Sequence, residues 1–274
     1  MPVDQSRGVQ SRGLVDEILA RVVEREEIVP FKEVKRLSAA GPALRDARAA
    51  LLAPGCTIIA ELKRANPGQP LAAIRTPGAL AEVFEQAGTR MVGCLTEGEH
   101  YQGLLTDMFE VSQAVSVPVF CHDFIVDPYQ IHEARVFGAD MLTLQVGLLD
   151  QPRLEALVDR TESLGMVALA EVHTAEEAAR AVEAGATVIG INARSLLTRE
   201  LDRSLFAEIV PTLPPEVIRV AMSGVRSPRD VLSYAGDGAD AVVVGEALVA
   251  AEDPGALART LVSAGCHPAC PSAR

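Results

Sequence analysis

The chain has 274 residues, 49% of them hydrophobic, with a formal net charge of −12 and a pI near 4.9. That length suits one large core, since α/β barrels of about 200–250 residues fold as single domains. The acidic balance excludes the electrostatic footprint of a nucleic-acid or anionic-membrane binder, so an anionic ligand has to be held by a local site.

Cys56, Cys94, Cys121, Cys266 and Cys270 are odd in number and three lie beside apolar runs, which fits buried thiols of a reducing cytosol better than a disulfide framework. Apolar stretches fall short of the roughly 18 residues of a membrane span, and the expected location is the cytoplasm. Residues 1–12, "MPVDQSRGVQSR", are polar and without period and are expected to form a flexible start. From Leu14 the spacing Leu14, Ile18, Leu19, Val22, Val23 follows one face of a helix, which predicts a helical extension ahead of any strand.

Beyond it a pattern recurs. "AEVFEQAGTRMVGCLTE", "HEARVFGADMLTLQV", "EEAARAVEAGATVIGIN" and "DVLSYAGDGADAVVVGEAL" each run from a helical pattern through glycine into an apolar strand. The junction glycines Gly88, Gly138, Gly185 and Gly238 lie 50, 47 and 53 residues apart, the length of two strand–helix units. Further apolar runs at 57–60, 117–121, 166–170 and 217–221 fill the gaps and give eight strands alternating with helices. Continuous apolar runs mark strands covered on both faces, as in a parallel sheet. Eight units in this length favour a closed (β/α)8 TIM barrel over an open doubly wound sheet, and no GxGxxG follows the first strand. The expected layout is a barrel domain over residues 13–264, helical extension included, with a flexible tail over 265–274. The tail carries "CHPAC", but two thiols and one histidine at this spacing do not make a closed zinc site, and no metal is expected.

Catalytic residues of such barrels sit at the C-terminal strand ends. Here those ends are polar: "IIAELKRANP" carries Glu61 and Lys63, "CLTEGEHYQG" carries Thr96 and Glu97, and "FCHDF" carries His122 and Asp123. The fourth strand ends in Gln145, the fifth in Glu171 and His173, the sixth in Asn192 and Arg194. The seventh and eighth, "AMSGVRSP" and "VVVGEAL", place Ser223, Gly224 and Gly245 in the loops that cradle phosphate in this fold. A single glycine there is more often a turn, and a single glutamate more often a cap. Convergence of Lys63, Glu171, Asn192 and Arg194 on one mouth is what marks a site. His132 and Glu133, on the helix after the third strand, are read as a solvated face, and His173 as orienting loop atoms beside Glu171.

Together with "HDFIVDPYQIHEARVFGAD", "LAEVH" and "IGINAR", these segments resemble the ordered motif set of the indole-3-glycerol phosphate synthase family over roughly residues 14–262. The resemblance implies a barrel lyase of tryptophan biosynthesis in which a carboxyphenylamino-deoxyribulose phosphate closes its ring through a carbon–carbon bond and loses carbon dioxide and water. It implies no metal or organic cofactor, a small phosphorylated substrate as the partner, no nucleic acid or membrane, and a monomer or homodimer. Carried over residue by residue, it makes Glu61, Lys63, His122, Glu171 and Asn192 catalytic, with Lys63 on the phosphate side, Glu171 the general base and Glu61 a dehydration acid or orienter. Arg194, Tyr101, Phe124, Thr143, Gln145 and Met222 become substrate-binding, with Tyr101 and Phe124 against the aryl ring. Ser223, Gly224, Gly245 and Glu246 join Lys63 around the phosphate.

The sequence departs from the family pattern at four places. His122 stands where "KDF" carries a lysine general acid, and an imidazolium can serve as an acid but is shorter. Met222 stands where "ESG" carries a glutamate, and a thioether is only a weak acceptor. "RANPG" replaces a serine-rich loop, and Thr143 and Gln145 make the fourth strand more polar. Taken with the departures, the expected function is a diverged paralogue acting on a related sugar-phosphate adduct in specialised metabolism. The alternatives are the authentic synthase and a non-catalytic phosphate-ligand-binding homologue.

Overall fold

A computed structural model describes residues 5–196 and 198–270. Among them, strands β1 (Thr57–Leu62), β2 (Met91–Leu95), β3 (Val119–His122), β4 (Met141–Gln145), β5 (Val167–Val172), β6 (Val188–Asn192), β7 (Ile218–Met222) and β8 (Ala241–Val244) pair in parallel. They follow one another around a closed barrel in which β1 bonds to both β2 and β8. The expected (β/α)8 barrel is present, preceded by helix α1 (Gln5–Ile28).

The four junction glycines share φ values of 83–100°, the left-handed region in which a helix can stop and turn into the next strand. At Gly138 the requirement is also steric, because a Cβ would lie 2.5 Å from the Ser112 side chain. The barrel interior is filled by a layer containing Ile59, Met91, Phe120, Met141, Leu169, Val188, Val220 and Val243. A second apolar shell packs the outer strand faces against the helices. Burying each large side chain stabilises the fold by about 1.5–3 kcal/mol, which makes the strands a rigid frame for whatever their ends carry.

Three expectations about the periphery are corrected. Helix α1 begins at Gln5, so residues 5–12 are helical, because extending a helix already nucleated by the amphipathic stretch beyond Leu14 costs little even for polar residues; residues 1–4 lie outside the described residues. At the other end, the Cys270 thiol is buried in the outer apolar shell, with Sγ 3.4 Å from the Ala264 carbonyl, so the expected tail contributes a core side chain while residues 266–269 are exposed; residues 271–274 lie outside the described residues.

His132 and Glu133 are buried rather than solvated. Their helix, Pro128–Val136, is covered on its outer face by α1 and by α2 (Phe31–Ala39), where Ser38 Oγ meets His132 Nδ1 at 2.6 Å and Arg25 Nε donates to Glu133 at 3.1 Å. Of the cysteines, Cys56, Cys94, Cys121 and Cys270 are buried free thiols and Cys266 is exposed. No described helix is long and apolar enough to cross a membrane.

Candidate active site

Alternate residues of a strand face the same side, so the positions two residues beyond the interior layer form the next layer towards the C-terminal mouth. These are Glu61, Gly93, His122, Thr143, Glu171, Gly190, Met222 and Gly245. Glycine at three of them leaves room for the larger side chains. A Cβ at Gly245 would sit 2.6 Å from Glu61 Oε2, and one at Gly190 would sit 2.6 Å from Met222 Sδ. Gly245→Ala is therefore expected to push the Glu61 carboxylate off its partner, lowering turnover by up to about 10²-fold while the far-ultraviolet circular dichroism stays unchanged. Wild-type kcat in this variant would exclude a positional role for Gly245.

The layer opens into a cavity of about 380 Å³ lined by Glu61, Lys63, Tyr101, His122, Phe124, Gln145, Glu171, Asn192, Arg194, Met222, Ser223, Gly224, Gly245 and Glu246. Every expected site residue lines it except Thr143. That residue is fully buried, and its hydroxyl accepts from the Asp123 N–H (3.0 Å) and donates to the Asp123 carbonyl (2.9 Å), so it braces the end of β3 and does not reach the cavity. Gln145 remains on the wall, with Oε1 buried and unbonded within the protein.

At the floor, His122 stands between two carboxylates. Its Nδ1 is 2.6 Å from Glu61 Oε1 and its Nε2 3.2 Å from Glu171 Oε2, while the ring stacks on Phe120 at 5.5 Å. Burial disfavours charge on the imidazole, but Glu61 and Glu171 together outweigh it and raise its pKa to about 10. The ring is thus an imidazolium at neutral pH. Burial alone would raise Glu171, yet the hydrogen bond and charge of His122, the charge of His173, and the amide of Asn192 (Nδ2 to Oε1, 2.7 Å) draw it down to about 2. Asn192 is held in turn, its Oδ1 accepting from the Arg194 N–H at 3.0 Å. Nε2 of His173 is buried without a hydrogen-bond partner within the protein, leaving an unused valence beside the cavity.

Around the rim, Tyr101 and Phe124 meet edge to face with centroids 6.1 Å apart, and Lys63 Nζ lies 5.0 Å from the Tyr101 centroid. Tyr101 is placed by a short helix, Gly98–Tyr101, whose cap Glu97 accepts from the N–H groups of Glu99, His100 and Tyr101 and from Arg21 of α1 (3.4 Å). Opposite, Ser223 and Gly224 turn left-handed (φ 68° and 84°), with their carbonyls taken by the Tyr234 hydroxyl and by Arg203. Glu246 accepts from Asn66 (3.2 Å) and lies 4.0 Å from Arg194 and 3.9 Å from Arg226.

Two cations on this wall, Arg199 and Arg226, were not singled out from the sequence. Arg226 lies in the quoted "SGVRSP" segment, where its place beside a phosphate loop was a usable signal. Arg199 lies in the irregular segment after β6, where no periodicity points a side chain anywhere. Among the described residues no cluster of histidine, cysteine and acidic side chains has the makings of a metal site.

A (β/α)8 barrel whose strand ends converge an acid–base set on a cavity rimmed by cations and glycine loops has the architecture of a barrel enzyme. The family model described as "Indole-3-glycerol phosphate synthase" matches residues 12–261, and the chain belongs to that family. It is 54% identical over 259 residues to the "Indole-3-glycerol phosphate synthase" of Rhodococcus opacus (strain B4), covering 94% of this chain and 96% of that one. To the protein of the same name from Mycobacterium leprae (strain Br4923) it is 54% identical over 255 residues, covering 93% and 94%. Among solved structures, thiamine phosphate pyrophosphorylase from Pyrococcus furiosus superposes with a TM-score of 0.59 at 16% identity, covering 80% of this chain and 97% of that one, which shows the shared barrel alone.

Proposed function

We propose that this chain is a working indole-3-glycerol phosphate synthase in which His122 supplies the acid. Its relatives at 54% identity carry the synthase's name across nearly their whole length, which favours the authentic enzyme over the diverged paralogue anticipated from His122 and Met222. The observation that carries the reading is the seating of His122 between Glu61 and Glu171, at 2.6 and 3.2 Å, because two carboxylates restore the standing positive charge that exchanging lysine for histidine would otherwise forfeit.

In this reading the phosphate sits by the Ser223–Gly224 and Gly245–Glu246 loops with Arg194 and Arg226 near it, and the aryl ring lies in the slot of Tyr101 and Phe124, where Lys63 stands on the Tyr101 ring instead of beside the phosphate. The ring carbon bearing the carboxylate attacks the ketone carbon while His122 gives its proton to the ketone oxygen, so one carbon–carbon bond forms and the oxygen becomes a hydroxyl. The bond to the carboxylate then breaks, its electrons restore the aromatic ring, and carbon dioxide departs. Loss of the new hydroxyl as water takes one further proton, which His122 gives once it has been recharged from solvent, with the Glu61 carboxylate orienting the ring through Nδ1. Glu171 removes the remaining ring proton to leave the indole. Discharge of His122 removes the cation that holds Glu171 down, so the base gains strength at the stage that needs it. Met222, packed over Gly190, leaves Glu61 and Glu171 as the carboxylates that share the imidazolium.

Adding 1-(2-carboxyphenylamino)-1-deoxyribulose 5-phosphate is expected to produce indole fluorescence with multiple turnovers. The same compound without its phosphate is expected to bind at least about 10²-fold more weakly, given the strength of charge-assisted phosphate contacts. Tight binding without turnover would replace the reading by that of a phosphate-ligand binder; equal binding of both compounds would remove the phosphate loops from it.

A further inference from the structure

The cations at the cavity mouth form two groups. Arg194 and Arg226 stand by the loops after β7 and β8, each within 4.0 Å of Glu246. Lys63 and Arg199 stand on Tyr101 instead: Lys63 Nζ is 5.0 Å and the Arg199 guanidinium carbon 5.5 Å from the ring centroid, and Arg199 Nη1 donates to the Tyr101 hydroxyl at 2.7 Å. Among the described residues neither Lys63 nor Arg199 has a carboxylate within ion-pair distance. Two cations without an ion-pair partner flank one aromatic ring at the wall of the cavity, with Glu61 and Glu246 acting on Lys63 only from beyond contact, and an anion seated at that ring would meet both.

The backbone holds Arg199 in this place deliberately. Its φ of 64° is left-handed, a conformation a side-chain-bearing residue keeps only when its surroundings enforce it. Those surroundings are the bridge between Arg194 and Leu201 and the bond from Arg194 Nη1 to the Arg199 carbonyl at 3.0 Å. A guanidinium has five N–H donors in a planar fork that matches a carboxylate, and the Tyr101 hydroxyl occupies a single one of its nitrogens.

We propose that Arg199, together with Lys63, holds the carboxylate carried by the aromatic ring of the substrate and is a specificity-determining residue. The proposal rests on the synthase reading, in which the ring lies against Tyr101. The phosphate end is served by the other group of cations, so the substrate's two anionic ends are read by two separate clusters. Because the carboxylate leaves as neutral carbon dioxide, gripping it helps binding and orientation and does nothing for the bond cleavage. The grip also vanishes with the reaction, which frees the product. Arg199 therefore acts on KM and hardly on kcat.

The test uses two unreactive ribitol phosphate analogues, one bearing a 2-carboxyphenylamino group and one a phenylamino group, titrated calorimetrically into wild type, Arg199→Gln and Arg199→Lys. Wild type is expected to prefer the carboxylated analogue. Arg199→Gln should weaken that analogue by about 10- to 10²-fold, the worth of a charged hydrogen-bonded pair, and leave the phenyl analogue within about twofold. Arg199→Lys should recover part of the loss, and KM should rise in parallel at nearly constant kcat. Equal losses for both analogues, or none for either, overturn the carboxylate subsite while leaving the synthase reading standing. If wild type binds neither analogue, the synthase reading fails and the subsite with it.

Discussion

Glu171→Gln is expected to lower kcat by about 10²–10⁴-fold, the usual cost of removing a positioned acid or base, without unfolding the barrel. The amide matches the carboxylate in volume and can still face Asn192, which now lies 2.7 Å from Oε1. What disappears is the proton acceptor, and with it one of the two anions that keep His122 charged. The substitution should therefore leave a second mark: the residual activity of the variant should fall off at lower pH than that of wild type. Activity within a few-fold of wild type would remove Glu171 as the base. A large loss with an unmoved alkaline limb would break the electrostatic link between the two residues.

The second large effect concerns His122. Its acid form is the imidazolium, and because its pKa is raised to about 10, that form persists through neutral pH and is lost only as pH climbs through the raised value. Wild-type kcat/KM should accordingly hold well above pH 7, where an unperturbed imidazole near 6.5 would already have discharged. His122→Ala should cost about 10²–10⁴-fold in kcat, since alanine can neither donate a proton nor position a water to do so. His122→Lys should retain much of the activity, because the same carboxylates would hold an ammonium in place. Full turnover by the alanine variant would end the assignment, and an alkaline limb near pH 6.5 would show that the carboxylates do not hold the charge.

The barrel was legible because its strands are continuous apolar runs and its helices stop at glycines whose φ is positive. The floor of the cavity was legible through strand alternation: once Ile59, Phe120 and Leu169 are interior, Glu61, His122 and Glu171 must be interior too. The charge of His122 was not legible. It depends on a carboxylate 61 positions away in sequence and another across the barrel, and strand ends alone do not show which side chains touch. Thr143 misled for a related reason, since a polar residue in a strand can serve the backbone of its neighbour as readily as a ligand. The burial of His132 and Glu133 was hidden because the period of their own helix says nothing about α1 and α2 arriving from the amino terminus to cover it. Arg199 lies in a loop, where side-chain direction is set by contacts and not by repeat.

Strand β1 lies between β2 and β8, and Gly245 closes against Glu61. During synthesis on the ribosome, β1 therefore waits with an unpaired edge while some 180 residues are added. Until residues 241–244 emerge, the nascent chain has neither a closed sheet nor the Gly245–Glu246 loop that follows it, and an open strand edge invites pairing with other chains. A product ended early by a nonsense codon or a stalled ribosome thus cannot be a slow enzyme; it is an aggregation-prone fragment for proteases to clear. Closure of the sheet and the seating of Gly245 against Glu61 arrive in the same few residues, so the last strand completes the frame and the floor of the cavity together.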